Sequence, residues 1–389
     1  MSLADLTIED VQVHPVALPS VRTFMVAGGG VATAGQPSVR VLVRVTGSDG
    51  TIGWGEATPI PAWTYETAES IVTTVAHYLA PVTVGHAAWD LDGLASRFDR
   101  AINRGFTIGA PLAKSAVDLA VHDLVGKHLG VSVGELWGQR RQDKVELAWV
   151  VAGQTPEEVG DAIAEGRELG HRSFKVKIGL GDMRRDIDVV RAVRDAAPEA
   201  YLWVDANQGY HLDEAIQVSD AMAELGVAAF EQPLPANDVR GLTRLTEATR
   251  VPVALDESLR HPSDLSTFLQ VGPVDVAIAK VQRSGGLALS RRLCALAEDS
   301  GVRLMGSGLT DSDLGLAASI HLFAAFGIDT PVDLNGRQFL DSAYVGETTV
   351  RVEDGHAWVP TGPGLGVDVD EQAVDQLRDE RLAALASTD

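Results

Sequence analysis

A ladder of charged residues, set into apolar runs at a nearly constant interval, constrains this chain more than any other feature. Lys175 and Lys177 lie in the run Ser173–Ile178, and Asp205, Glu231, Asp256 and Lys280 lie at or near the ends of four later runs. Counting on from Lys177, the next charge comes after 28 residues at Asp205, then 26 to Glu231, 25 to Asp256 and 24 to Lys280. Each step is the length of one strand–helix unit. Strands buried on both faces are apolar throughout, so a charge at the end of each one marks the rim of a parallel sheet.

Strand candidates follow at this interval: Val145–Val151, Ser173–Ile178, Tyr201–Ala206, Ala228–Glu231, Val253–Asp256, Val274–Lys280, Val302–Met305 and Pro331–Leu334. Helical patterns fit between them, among them Pro156–Leu169, Met183–Ala197 and Leu287–Ser300. Eight strands are enough to close a barrel, with an open doubly wound sheet as the rival arrangement. No G-x-G-x-x-G follows the first strand, which argues against a dinucleotide site. The period of two along a strand puts Lys175 with Lys177, Trp203 with Asp205 and Asn207, and Ile278 with Lys280 on common faces. In a barrel, each set can point inward at the C-terminal mouth, where catalytic groups of such folds gather.

The chain before Gly130 follows a different pattern. Ile8–Leu18, Val39–Thr46 and Ile52–Glu56 are strand candidates, the last two joined by the turn Gly47–Gly50. Helices are expected over Glu66–Leu79, Ala88–Ile102 and Ala110–Leu129. Met25–Gly35, centred on Gly28–Gly30, is either a plain connection or a flap over a site. Gly362–Gly366 has no strand–helix context and is expected to be an ordinary loop.

Composition narrows the function. With 54 acidic against 32 basic residues the net charge is −22, which repels phosphate backbones and argues against nucleic acid. An anionic substrate would need local cations, such as a metal and buried lysines. No run approaches the roughly 18 apolar residues of a membrane span. The single cysteine, Cys294, excludes an internal disulfide and a cysteine-rich zinc site. The N-terminus lacks the basic and apolar regions of a secretory signal, so a cytoplasmic location is expected.

Three carboxylates on adjacent strands, Asp205, Glu231 and Asp256, repel one another unless a cation joins them. An all-oxygen set suits Mg²⁺, whereas zinc would recruit His or Cys. The other reading makes each acid a helix cap or an ion-pair partner, and the lysines have a matching one as partners of those acids. Lys175 and Lys177 are close like charges, and burial also disfavours their protonated forms. A lysine so placed can be neutral near pH ~7–8 and act as a base. Lys280 faces that pair across the mouth.

Lys175-Val-Lys177, Asp205-Ala-Asn207, Glu231-Gln-Pro233, Asp256-Glu257-Ser258 and Lys280 followed by Gly285-Gly286, together with Gly53-Trp-Gly-Glu56, resemble the enolase superfamily and its muconate-lactonizing-enzyme subgroup. The resemblance implies an α/β fold, a (β/α)7β modified TIM barrel with an N-terminal α+β capping domain. It divides the chain into a cap over residues 1–130, a barrel over 131–340 and a C-terminal segment over 341–389 that packs back on the cap. It implies that Asp205, Glu231 and Asp256 bind Mg²⁺ (or Mn²⁺), that Lys177 and Lys280 are the acid/base pair, and that Lys175 stabilises the substrate carboxylate. Specificity loops are expected around Thr23–Gly35 and Trp54–Pro61.

Val302–Gly308 carries no histidine, which excludes the mandelate-racemase branch. The segments Ser307–Asp313 and Asp333–Leu340 look most like those of cis-3-hydroxy-L-proline dehydratases and proline-betaine epimerases. On that similarity the expected reaction is dehydration or epimerisation of a proline-type amino acid. Muconate cycloisomerisation, dipeptide epimerisation and N-acylamino acid racemisation are the alternatives on the same machinery, and an inactive metal-binding barrel is the non-enzymatic one, opposed by the presence of both lysines and all three acids. Substrate contacts are expected from Trp54, Ser307, Asp333 and Asn335, with Asp333 suited to a cationic amine. Trp54 and Trp63 can each line the pocket or fill the cap core, and His321 is either a packed residue or a ligand. The expected partners are a small, amino-acid-like carboxylate and further copies of this chain.

Overall fold

The computed structural model describes residues 2–104, 109–152 and 155–387. Strands β1 (Ile8–Pro19), β2 (Phe24–Val26), β3 (Gly29–Ala32), β4 (Pro37–Gly47) and β5 (Ile52–Ala57) precede three helical stretches that end with Pro111–Leu129. An antiparallel sheet in the order β1-β4-β5 pairs Val13 with Val43 and Val43 with Gly55. Helix Pro111–Leu129 lies directly on β5. A methyl group added to Gly53 would stand 2.1 Å from the Ala120 carbonyl oxygen, and one on Gly55 would stand 2.1 Å from that of Ala116. Only glycine permits this approach. Alternation along the strand then turns Trp54 and Glu56 to the opposite face. The Gly28–Gly30 segment forms the antiparallel β2–β3 hairpin, whose Phe24, Val26 and Val31 pack with Ile60, Val150 and Phe339.

The barrel strands are β7 (Trp149–Val151), β8 (Ser173–Lys177), β9 (Tyr201–Asp205), β10 (Phe230–Glu231), β11 (Val253–Leu255), β12 (Val276–Ala279) and β13 (Arg303–Gly306), and they pair in parallel in that order. Helices fill the intervals, such as Met183–Ala196 after β8 and Leu287–Asp299 after β12. The expected eighth strand is reduced to single bridges, Val332 with Leu147 and Asp333 with Ser307, which join the two edges of the seven-stranded sheet. The fold is thus a (β/α)7β barrel with an N-terminal α+β cap.

One expected strand is broken. The first barrel strand does not run unbroken from Val145, because Lys144–Glu146 (β6) leaves the barrel to pair with the hairpin β14 (Val352–Glu353) and β15 (His356–Trp358). Gly362–Gly366 is a loop, as expected, but an anchored one. The Leu365 N–H donates to one Asp123 oxygen at 2.8 Å while the Trp54 N–H donates to the other at 2.8 Å, tying this turn to β5 through the cap helix. The chain beyond it returns to β1, where Ala17 and Asp379 donate to Leu377 and Pro15. Among the described residues no helix is long and apolar enough to cross a membrane.

Candidate active site

Strand register sets the charged residues side by side. Lys177 pairs with Asp205 across β8 and β9, and Asp205 pairs with Glu231 across β9 and β10. Asp256 and Lys280 directly follow β11 and β12. All are buried: Asp205, Glu231, Asp256 and Lys175 expose nothing, Lys280 1% and Lys177 7%. One carboxylate oxygen from each of Asp205, Glu231 and Asp256 lies within 4.8 Å of the others. The donor set is all oxygen, anionic and buried, which fits a hard divalent cation and not zinc.

The lysines tie into this cluster. Lys175 Nζ stands 3.0 Å from Asp205, 2.9 Å from Glu231 and 2.8 Å from Asp333. The like-charge argument for a neutral lysine at this position therefore fails. Burial alone would lower the Lys175 pKa, but Asp205, Asp333 and Glu231 together hold it well above the ordinary lysine value. Lys177 donates to Asp205 at 2.6 Å and to the Asn207 carboxamide oxygen at 3.1 Å. Lys280 donates to Asp256 at 2.7 Å, and Arg283 caps the other oxygen of the same carboxylate.

Electrostatics divide the three acids. Burial works to raise each of them. The charges of Lys175 and Lys177 nevertheless hold Asp205 well below the carboxylate range, as Arg283 and Lys280 do for Asp256. Glu231 goes the other way, raised by burial and by the Asp205 charge. An additional cation is what would let all three ionise together.

The remaining expected contacts fall out unevenly. Trp54 is 3% exposed and packs with Val16, Leu18 and Leu42, its ring 5.4 Å from that of His14. It fills the covered face of the cap sheet because Gly53 and Gly55 turn the other face to the helix. Trp63 is at the mouth instead, with Lys280 Nζ 4.4 Å and Lys177 Nζ 5.6 Å from its ring centroid. The Ser307 hydroxyl lies 3.5 Å from Asp333, whose carboxylate receives Lys175. The cation that Asp333 holds is thus the protein's own lysine, not an exposed ammonium subsite. Asn335 is nearly buried, and it borders a cavity of about 210 Å³ together with Arg22, Trp149 and Gln338. His321 is a packed residue: burial pulls its pKa down to about 4, and Nε2 lies 3.3 Å from the Leu365 carbonyl oxygen.

Reading the sequence missed Arg283, Glu257 and Asn207 as site groups, although all three stand in or beside the motif segments. Glu257 is 8% exposed and accepts from Asn207 at 2.9 Å and from the Trp63 indole at 3.3 Å. The stacked rings of Phe24 and Phe339, 4.4 Å apart, add an apolar wall, and Lys177 Nζ lies 5.6 Å from the Phe24 ring.

The chain's sequence matches the mandelate racemase / muconate lactonizing enzyme N-terminal domain over residues 11–138 and the enolase C-terminal domain-like family over residues 158–373. Muconate cycloisomerase 1-2 of Acinetobacter lwoffii is 33% identical over 383 residues, 97% of each chain. The chloromuconate cycloisomerase CbnB of Cupriavidus necator is 32% identical over 86% of this chain and 90% of that one. The muconate lactonizing enzyme of Pseudomonas fluorescens, solved with muconolactone, superposes with a TM-score of 0.88 at 30% identity, covering 96% of this chain and 99% of that one. The L-Ala-D/L-Glu epimerase of Bacillus subtilis superposes with a TM-score of 0.86 at 26% identity over 93% of this chain and 98% of that one. A shared barrel mouth and cap, matched over nearly the whole length, make this chain an enzyme of the enolase superfamily and a member of its mandelate racemase/muconate lactonizing enzyme family.

Proposed function

We propose that this enzyme interconverts a muconate-type unsaturated dicarboxylate and its lactone by moving a proton at the carbon alpha to a carboxylate. The observation that carries the reading is the likeness to a muconate and a chloromuconate cycloisomerase, 33% and 32% identical over 97% and 86% of this chain, on a mouth where Lys177 sits on Asp205 and Lys280 on Asp256. Asp205, Glu231 and Asp256 would hold Mg²⁺ or Mn²⁺. A divalent cation there supplies positive charge against the substrate carboxylate as the alpha carbon loses its proton.

The chain's own groups do the rest. Lys175 donates to a substrate carboxylate oxygen, with Asp333 holding its ammonium at 2.8 Å and Ser307 beside Asp333. In the lactonising direction a carboxylate oxygen of the substrate adds to the carbon beta to the second carboxylate. The electron pair left at the alpha carbon takes a proton from a lysine ammonium. The reverse removes that proton and breaks the new carbon–oxygen bond. Phe24, Phe339 and Trp63 exclude water and face the unsaturated carbons.

The proline-type substrate expected from the sequence gives way here, because full-length relatives at 32–33% identity are cycloisomerases and Asp333 is engaged by Lys175. Epimerisation is kept as a second reading, favoured by the two opposed lysines. One lactonisation needs a single proton transfer, whereas inversion of a centre needs a base on each face. The test is proton NMR in D₂O with Mg²⁺, offering cis,cis-muconate, muconolactone, dipeptides, N-acyl amino acids and proline derivatives. Interconversion of muconate and muconolactone with deuterium gained alpha to the carboxylate supports the proposal. Exchange confined to amino-acid derivatives would replace it with epimerisation, and no exchange in any of them would overturn it.

A further inference from the structure

A continuous hydrogen-bonded path runs from the cap to Lys177. The Trp63 indole N–H donates to Glu257 Oε1 at 3.3 Å. The Asn207 amide donates to the same oxygen at 2.9 Å, and the Asn207 carboxamide oxygen accepts from Lys177 Nζ at 3.1 Å. Asn207 sits at φ +41, and its backbone N–H is held by Asp205 Oδ1 at 2.9 Å, so its backbone is fixed while the carboxamide can still turn about its last bond. The two ends of a carboxamide are nearly the same shape and opposite in hydrogen-bonding sense. Turned one way Asn207 offers Lys177 an acceptor; turned the other way it offers N–H groups to an ammonium. A carboxylate only accepts, so Glu257 selects the first. Lys280 has no hydrogen bond in this path: its ammonium is held by Asp256, and it meets Trp63 only over the ring face, 4.4 Å from the centroid.

We propose that Glu257 is a positioning residue: by accepting from both Asn207 and Trp63 it fixes the carboxamide oxygen toward Lys177, and so aims one of the two lysines and not the other. The cap's Trp63 thereby reports its seating over the mouth to Lys177. Glu257 Oε2 has no hydrogen-bond partner among the described residues. A glutamine can therefore keep its oxygen on Asn207 and Trp63 and place its amide where nothing in the protein competes.

This inference rests on the proposed roles of Lys177 and Lys280, and the experiment separates the two. Muconolactone is the probe, because its two alpha protons are diastereotopic and report the two faces separately by proton NMR in D₂O. Lys177→Ala and Lys280→Ala should each lose exchange at a different proton. Glu257→Met should slow the Lys177-dependent exchange roughly ten- to hundredfold, the scale of a misplaced catalytic group, and leave the Lys280-dependent exchange within about twofold. Glu257→Gln should restore the slowed rate. Should Glu257→Met fail to fold, Asn207→Gly cuts the same path at a backbone angle glycine accepts, and the same one-sided loss is expected.

Equal loss at both protons in Glu257→Met, or a Glu257→Gln variant as slow as Glu257→Met, overturns the positioning role. If the two lysine variants behave as expected but Glu257→Met is normal, only this inference falls. If neither lysine variant loses exchange at either proton, the assignment of the bases falls with it.

Discussion

Replacing Glu56 tests how the cap is fastened to the barrel. Its carboxylate is fully buried on β5, yet three of the groups that donate to it belong to the barrel. The Ser312 N–H donates at 2.8 Å, the Ser312 hydroxyl at 2.5 Å and the Gly315 N–H at 3.1 Å, all at the start of helix Asp313–Phe326. These are the helix N–H groups that lack partners within the helix, and a carboxylate there also meets the positive end of its dipole. The Arg40 guanidinium, 1% exposed, lies 3.7 Å away.

Glu56→Ala leaves those donors unmet and Arg40 buried without its nearest anion. Removing one partner of a buried pair costs about 3–5 kcal/mol. The lower end applies here, about 3 kcal/mol. Burial and the Glu56 charge push the Asp311 pKa up to about 7, so loss of Glu56 lets Asp311 ionise and take over part of the Arg40 charge. Hydrogen exchange gives the local readout, with the Ser312 and Gly315 amides losing protection by about two orders of magnitude. Urea titration gives the global one. A stability change under about 1 kcal/mol with both amides still protected would refute the argument that Glu56 holds cap and barrel together.

Asp205→Asn removes one anion from the three-carboxylate cluster and should weaken Mg²⁺ binding at least roughly tenfold by calorimetry, with loss of turnover. His321 is buried and neutral, its pKa lowered to about 4 from 6.5, so its contribution is complete above 6.5 and is lost as pH falls through 4. That amounts to about 3 kcal/mol, and His321→Asn should flatten this part of the urea stability–pH profile. Gly55→Ala sets a methyl group 2.1 Å from the Ala116 oxygen and must push β5 off the cap helix; calorimetric unfolding should show a loss of at least about 1–3 kcal/mol. Unchanged melting would mean that the strand and helix are not in firm contact.

Much of the site was legible because a parallel barrel converts sequence interval into spatial adjacency. One strand–helix unit per step brings Asp205, Glu231 and Asp256 to neighbouring strand ends, and the period of two points them inward. What the interval cannot carry is contact between residues that are distant in the chain. Lys175 looked like a candidate for a lowered pKa beside Lys177, yet Asp333, 158 residues away, joins Asp205 and Glu231 to keep it charged. Tryptophans at positions 54 and 63 are equivalent as local sequence. The close approach of helix Pro111–Leu129 to Gly53 and Gly55 sends Trp54 into the cap, and the fold of the cap over the barrel brings Trp63 to the lysines.

Local pattern, then, was enough for most element types, a parallel α/β arrangement and the ladder of acids and lysines, because each follows from periodicity within one strand or from the length of one repeat; the choice of a barrel over an open sheet came from the motif resemblance. The tertiary structure alone decided which cation each acid meets, that Gly364-Leu365 seals against Asp123, that Lys144–Glu146 leaves the barrel, and that Glu56 belongs to the barrel's helix as much as to its own strand. Those outcomes depend on burial and on donor–acceptor geometry between segments far apart in the chain. Short-range chemistry of that kind acts only after the chain has been folded onto itself.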